Sequence, residues 1–79
     1  MKLELYKFDA CPYCRRVLSA ISKSGRTDVA LHDIHENEAD RRRLIEVGGK
    51  QQVPCLFIDG KPMYESSDII AWLDRNPQK

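Results

Sequence analysis

Between Leu3 and Ile21 the spacing of apolar side chains changes from a strand-like run to a helical stripe, and two cysteines stand at the change. Leu3, Leu5, Tyr6 and Phe8 make a short strand pattern that ends at Asp9-Ala10. From Cys14, the positions Val17, Leu18 and Ile21 fall three, four and seven residues on, which is one face of a helix. Pro12 suits the first turn of that helix and Gly25 lies just beyond its end. The spacing therefore places Cys11 at the helix start and Cys14 one turn in, on the buried face. Val29 to Ile34 is a second strand pattern, and a link of about 20 residues between the two strands predicts a parallel crossover, since a hairpin needs far less chain.

The remaining chain continues in the same grammar. Asn37 caps a helix carrying Ala39, Leu44, Ile45 and Val47 up to Gly48-Gly49. Val53 to Ile58 forms an apolar strand, Asp59-Gly60 a tight hairpin turn, and Lys61 to Tyr64 the return strand. Pro62 cannot donate to a ladder, so this return strand is expected at a sheet edge. Ser66 or Ser67 is expected to cap a last helix with Ile69, Ile70 and Leu73 on its core face, ending near Asn76-Pro77. The order is β-α-β-α-β-β-α, and 79 residues allow one domain, 1–79, around one core.

Composition narrows the function classes. An apolar share of 42% with 32% charged residues excludes the disordered class, and a net charge of +1 gives no reason to expect nucleic acid as a partner. No stretch approaches the ~18 apolar residues of a membrane span, and Met1 to Tyr6 does not read as a signal peptide, so a cytoplasmic monomer is expected. Three cysteines suit redox chemistry better than a disulfide scaffold.

Attack on a disulfide requires a thiolate, and a free cysteine with a pKa near ~8.5 is mostly protonated at neutral pH. The first cysteine of a Cys-x-x-Cys pair at a helix N-terminus is stabilised as the anion by unpaired N–H groups and the helix dipole. Cys11 occupies that position, with Lys7, Arg15 and Arg16 close in sequence, and is the expected nucleophile. Cys14, shielded on the inner face, is the expected resolving thiol. A structural zinc site needs about four ligands, no second Cys-x-x-Cys exists, and His32 and His35 read as solvent-facing and loop residues, so no metal is expected. Cys55 and Trp72 read as packing residues.

With Cys11-Pro12-Tyr13-Cys14 at the first helix, Val53-Pro54 before the third strand and the Asp59-Gly60 hairpin, the chain resembles the dithiol glutaredoxins over essentially its whole length. The resemblance implies a thioredoxin-like α/β fold, a four-stranded mixed sheet flanked by three helices, with Pro54 as a cis-proline facing the cysteine pair. It implies glutathione as co-substrate with no bound cofactor, and disulfide-containing or glutathionylated proteins as further partners. On that likeness the main chain of Val53 pairs with the cysteinyl part of glutathione, Tyr13 flanks the bound thiol and Arg41 reaches the glycine carboxylate. Glu65-Ser66-Ser67-Asp68 departs from the usual glutaredoxin segment and is similar to the Glu-Ser motif of glutathione transferase N-terminal domains. There Ser66 and Ser67 are implied to hold the γ-glutamyl carboxylate at a helix start, with Asp68 or Glu65 substituting for the carboxylate that usually meets the glutathione amino group. Phe8 stands where many glutaredoxins carry a lysine, with Lys7 one residue earlier.

The expected activity is glutathione-dependent reduction of protein disulfides and glutathione mixed disulfides through Cys11 and Cys14. Three alternatives stay open at this level: an electron carrier of the same fold served by thioredoxin reductase, an iron-sulfur cluster carrier, and a fragment of a glutathione transferase.

Overall fold

The computed structural model describes residues 1–78. The elements are β1 (Leu3–Lys7), α1 (Pro12–Ser24), β2 (Val29–Asp33), α2 (Glu38–Gly48), β3 (Cys55–Ile58), β4 (Lys61–Tyr64) and α3 (Ser66–Arg75). They form one four-stranded sheet in the order β2-β1-β3-β4. β1 and β2 are parallel, in register from Leu3 with Val29 to Lys7 with Asp33, as the long crossover requires. β3 runs antiparallel to β1 from Tyr6 opposite Cys55, and β4 antiparallel to β3. β4 lies at the edge, where Pro62 removes no needed donor.

Alternation along the strands divides the core into two layers. Leu3 and Leu5 of β1 join Leu56, Val17 of α1, and Ile69 and Leu73 of α3 on one face of the sheet. Tyr6 joins Cys55, Phe57 and Leu44 of α2 on the other. Burial of each Leu, Ile or Phe in these layers contributes roughly 1.5–3 kcal/mol. Glu4 points to the α2 side and is nearly as buried as its neighbours, held by Arg43 at 3.4 Å, with His32 Nε2 3.2 Å from its other carboxylate oxygen.

Several expectations need correction. β2 stops at Asp33, one residue short of Ile34, which is buried and whose N–H still donates to the Lys7 carbonyl at 3.0 Å. β3 begins at Cys55 and not Val53, since Pro54 has no N–H for a ladder. His32 does not face solvent: its ring stacks on Tyr6 at 4.8 Å and bridges Glu4 and Asp40. On α2 only Leu44 is fully buried, while Ala39 and Val47 are exposed. Neither Ser66 nor Ser67 caps α3; the cap position is Glu65, with no side-chain bond to the helix. The chain passes from β4 into α3 through that single residue, at φ 72° and ψ 117°, so Ser66 already lies in the first turn.

The caps of the other helices are as expected. Asn37 accepts the N–H groups of Ala39 and Asp40 at 2.9 and 3.3 Å. Gly25 ends α1 at φ 73°, a left-handed conformation for which glycine carries no Cβ penalty. Arg26 follows, with its side chain buried, and pairs with Asp28 through Nε at 2.7 Å and Nη2 at 2.9 Å while Nη1 donates to the Leu73 carbonyl at 3.1 Å. This ties the α1–β2 loop to the end of α3. No helix among the described residues is long and apolar enough to cross a membrane.

Candidate active site

The topology gathers the singled-out residues at one end of the sheet. β1 and β2 finish there, β3 starts there and β4 finishes there, because β1 is parallel to β2 and antiparallel to β3. The cysteine pair after β1, Val53-Pro54 before β3 and Glu65-Ser66-Ser67 after β4 therefore share one rim. The Val53–Pro54 peptide bond is cis, as the resemblance implied.

Cys11 is the N-cap of α1, in extended conformation at φ −77° and ψ 119°. Its N–H donates to the Phe8 carbonyl at 3.2 Å, which closes the turn out of β1. Its sulfur accepts the Cys14 N–H at 3.4 Å, so the thiol takes the place that a Ser or Asp oxygen takes in ordinary caps. Pro12 fills the first helical position, where no N–H is needed. Cys11 is 7% exposed and Cys14 fully buried, and both are free thiols.

Burial dominates the chemistry of Cys14 and pushes its thiol up to about 12, against the opposing Phe8 N–H and the Lys7 charge. Cys55 is likewise pushed up to about 11, first by burial, with Tyr64 and the Met63 backbone opposing. Cys55 is buried in its strand, as its sequence pattern predicts, and packs with Tyr6 and Phe57 on the α2 layer.

The charged residues around the pair are arranged differently from their order in sequence. Lys7 bonds Asp9 at 2.7 Å and Asp33 at 3.5 Å, and the bond to Asp9 is the main reason its ammonium is held above its ordinary range. Burial of the Asp33 carboxyl is outweighed by the His35 and Glu36 N–H groups and by Lys7, which together hold it below the usual carboxylate range. Arg15 turns back so that Nε donates to the Asp9 carbonyl at 2.9 Å. Phe8 stacks on His35 with ring centroids 4.1 Å apart.

Tyr13 projects from the first turn of α1 and is 60% exposed. Val53 is half-buried against the α2 layer and Pro54 is buried. Ser66 is buried while Ser67 is exposed. Arg41 is half-buried and bonds Glu38 of its own helix at 3.1 Å. Glu65 carries the positive φ and accepts a bond from Gln52 at 3.4 Å, linking the segment before Pro54 to the start of α3. The strain at Glu65 and the part of Gln52 left no mark in the sequence pattern beyond the Glu-Ser likeness. Among the described residues no group of three or more His, Cys, Asp or Glu side chains is arranged to hold a metal ion.

A thioredoxin-like domain with a recessed cysteine capping its first helix and a buried second thiol defines a class, the thiol oxidoreductases of this fold. Comparison with known proteins gives the family. Residues 5–79 match the family described as glutathione S-transferase, N-terminal domain. Glutaredoxin 3 of Escherichia coli (strain K12) is 33% identical over 69 residues, 87% of this chain and 82% of the relative. A probable glutaredoxin of Synechocystis sp. is 30% identical over 70 residues, 89% of this chain and 80% of the relative. The chain belongs to the glutaredoxins, in the thioredoxin-like superfamily that also contains the transferase N-terminal domains. A solved glutathione transferase Omega 3C from Trametes versicolor shares the fold, with TM-score 0.79 and 24% identity over 95% of this chain, which spans 33% of that protein.

Proposed function

We propose that the chain reduces protein disulfides and glutathione mixed disulfides with glutathione as the electron source, through Cys11 and Cys14. The observation that carries this reading is the capping bond from the Cys14 N–H to the Cys11 sulfur, which sets the first thiol where a helix N-terminus favours an anion. In the first reaction the Cys11 thiolate attacks the glutathione sulfur of a mixed disulfide. A Cys11–glutathione disulfide forms and the protein thiolate leaves, taking a proton from solvent. A second glutathione thiolate then attacks the glutathione sulfur on Cys11, giving oxidised glutathione and free Cys11.

For a disulfide within a protein, Cys11 opens the bond and Cys14 attacks the Cys11 sulfur. The substrate leaves with both thiols reduced, and the Cys11–Cys14 disulfide is reduced by two glutathiones. Burial keeps Cys14 a thiol at neutral pH, which makes it a resolver called on only when glutathione does not reach the mixed disulfide first.

The start of α3 supports glutathione as the partner. With Glu65 as cap and no side-chain acceptor there, the first-turn N–H groups of Ser66 and Ser67 are free to meet a carboxylate, and Ser67 adds an exposed hydroxyl. Val53 lies on the same rim with its backbone outside any strand, suited to an added extended ligand. Tyr13 flanks the bound thiol in this reading, and Arg41 reaches a ligand carboxylate only by exchanging its Glu38 bond.

The test is turnover of a small glutathione mixed disulfide, coupled to glutathione reductase. Cys11→Ser is expected to abolish both reactions and Cys14→Ser to keep deglutathionylation while losing reduction of protein disulfides. Activity that survives Cys11→Ser, or that runs on thioredoxin reductase without glutathione, overturns the proposal.

A further inference from the structure

The thirteen residues of α1 carry Arg15, Arg16 and Lys23 and no acidic side chain, although the whole chain is only +1. The rest of the protein is therefore net negative, and α1 stands out as a basic rod. All three cations are exposed. Among the described residues none lies within 4.0 Å of a carboxylate, whereas Arg26, Arg41, Arg42 and Arg43 each have an acidic partner. The one side-chain bond made by Arg15 goes to the neutral Asp9 carbonyl, which orients its guanidinium beside the cysteine turn without cancelling its charge.

These cations line a shallow groove of about 430 Å³, with Ser19, Ala20 and Ile70 of α3 completing its walls. The groove starts one residue after Cys14 and runs along the outer face of α1 to Lys23. The rise along the helix from Arg15 to Lys23 makes it ~12 Å long, the reach of three to four residues of extended chain. Nothing on its walls is acidic.

We propose that this groove docks an acidic segment of the disulfide-bearing protein substrate, so that protein substrates are selected by carboxylates flanking the sulfur that Cys11 attacks. The proposal rests on the exchange reading at Cys11 and adds the class of partner. Two unpaired cations next to the cysteine turn, Arg15 and Arg16, with Lys23 at the far end of the same groove, steer an anionic segment toward the thiol, and such steering raises association rates by roughly 10- to 1,000-fold at low salt. The small patch of Ile70 and Ala20 gives the docked segment an apolar floor, and the groove is too short to follow a long polyanion.

The experiment compares two synthetic glutathionylated peptides that differ only in having four Glu or four Lys residues around the cysteine, with bis(2-hydroxyethyl) disulfide as an uncharged control. In about 20 mM salt the chain is expected to use the Glu peptide with a kcat/KM about tenfold above the Lys peptide. In about 0.5 M salt, where screening reaches only a few ångströms, the preference is expected to fall below about twofold. The double variant Ala20→Glu with Lys23→Glu should lose most of the preference at low salt and keep its rate on the small disulfide. If that variant folds poorly, Lys23→Glu alone and the wild-type salt profile decide the question.

Anisotropy titration with peptide analogues carrying serine in place of the modified cysteine reads docking without chemistry. A chain inactive on the small disulfide but still selective for the Glu analogue would refute the exchange reading and leave the docking proposal standing. Equal use of both peptides, a preference unchanged by Lys23→Glu, or binding to anionic vesicles without any peptide preference would overturn it.

Discussion

Replacing Glu65 with glycine is expected to stabilise the fold while weakening the site. Glu65 sits at φ 72° and ψ 117°, a conformation that costs a side-chain-bearing residue about 1–3 kcal/mol. Glycine removes that cost but gains freedom in the unfolded chain, which offsets about 0.5–1 kcal/mol. The bond from Gln52 is long, at 3.4 Å, and exposed, so its loss subtracts roughly 0.5 kcal/mol or less. The net change lies between about −0.5 and +2.5 kcal/mol, and a gain of 1 kcal/mol raises Tm by about 4–8 °C in a domain of this size. Thermal unfolding of the reduced protein, followed by far-UV circular dichroism, measures it. In the coupled glutathione assay KM is expected to rise several-fold with kcat little changed, because the carboxylate near the α3 start is gone while the cysteine pair is intact. A loss of stability above about 1 kcal/mol would show that the backbone there is not strained and would refute the reasoning.

Full burial and raised thiols predict that Cys14 and Cys55 resist iodoacetamide in the reduced native protein until it is denatured, with Cys11, which keeps some exposed surface at the helix start, modified first; mass spectrometry of tryptic peptides reads the order directly. The same two raised thiols make stability fall as pH climbs above about 8.5, since unfolded thiols ionise there and the native ones do not, and Cys55→Ala should flatten part of that slope in urea titrations. Asp28 is held below the usual carboxylate range chiefly by its bond to Arg26, so its contribution is present above about pH 4 and is lost as pH falls through its native value. Asp28→Asn should accordingly cost stability at pH 7, and the cost should shrink as pH falls below about 4. A Cβ at Gly48 would overlap the Tyr64 hydroxyl, so Gly48→Ala should destabilise by about 1–3 kcal/mol, and a double-mutant cycle with Tyr64→Phe should recover part of it.

Much of the architecture is legible in the sequence because local signals and global layout agree. Cys14, Val17 and Ile21 share a helical stripe, Gly25 stops the helix, and Asp59-Gly60 closes the only hairpin among the described strands. The order of strands follows from crossover length and from Pro62 at the edge. What was not legible depends on pairs brought together from distant parts of the chain. Arg26 shows no pattern in sequence, yet it reaches a carbonyl 47 positions away. His32 reads as an outward residue of an alternating strand, but Asp40 in the first turn of α2 and Glu4 on the neighbouring strand close over its ring. The capping role assigned to Ser66 failed for a related reason: side-chain type suggests a cap, whereas the length of the β4–α3 connection decides which residue sits there. Of the implied glutathione contacts, Ser66, Ser67 and Val53 share a rim with the cysteines, while Arg41 is engaged with Glu38.

A sulfur that caps a helix cannot change its bonding without the helix registering it. When Cys11 is bound to another sulfur it is a neutral and weaker acceptor, and the Cys14 amide at 3.4 Å loses the partner that fixed the first turn of α1. Reduced and oxidised chains are then expected to differ at the Cys14 amide as well as in one covalent bond, while the Arg15 N–H keeps its bond to the Cys11 carbonyl. Amide exchange at Cys14 is expected to follow the oxidation state, slower with the free sulfur in place and faster once it is bound to another sulfur. The turn that presents Tyr13 would loosen at the moment a product has to depart.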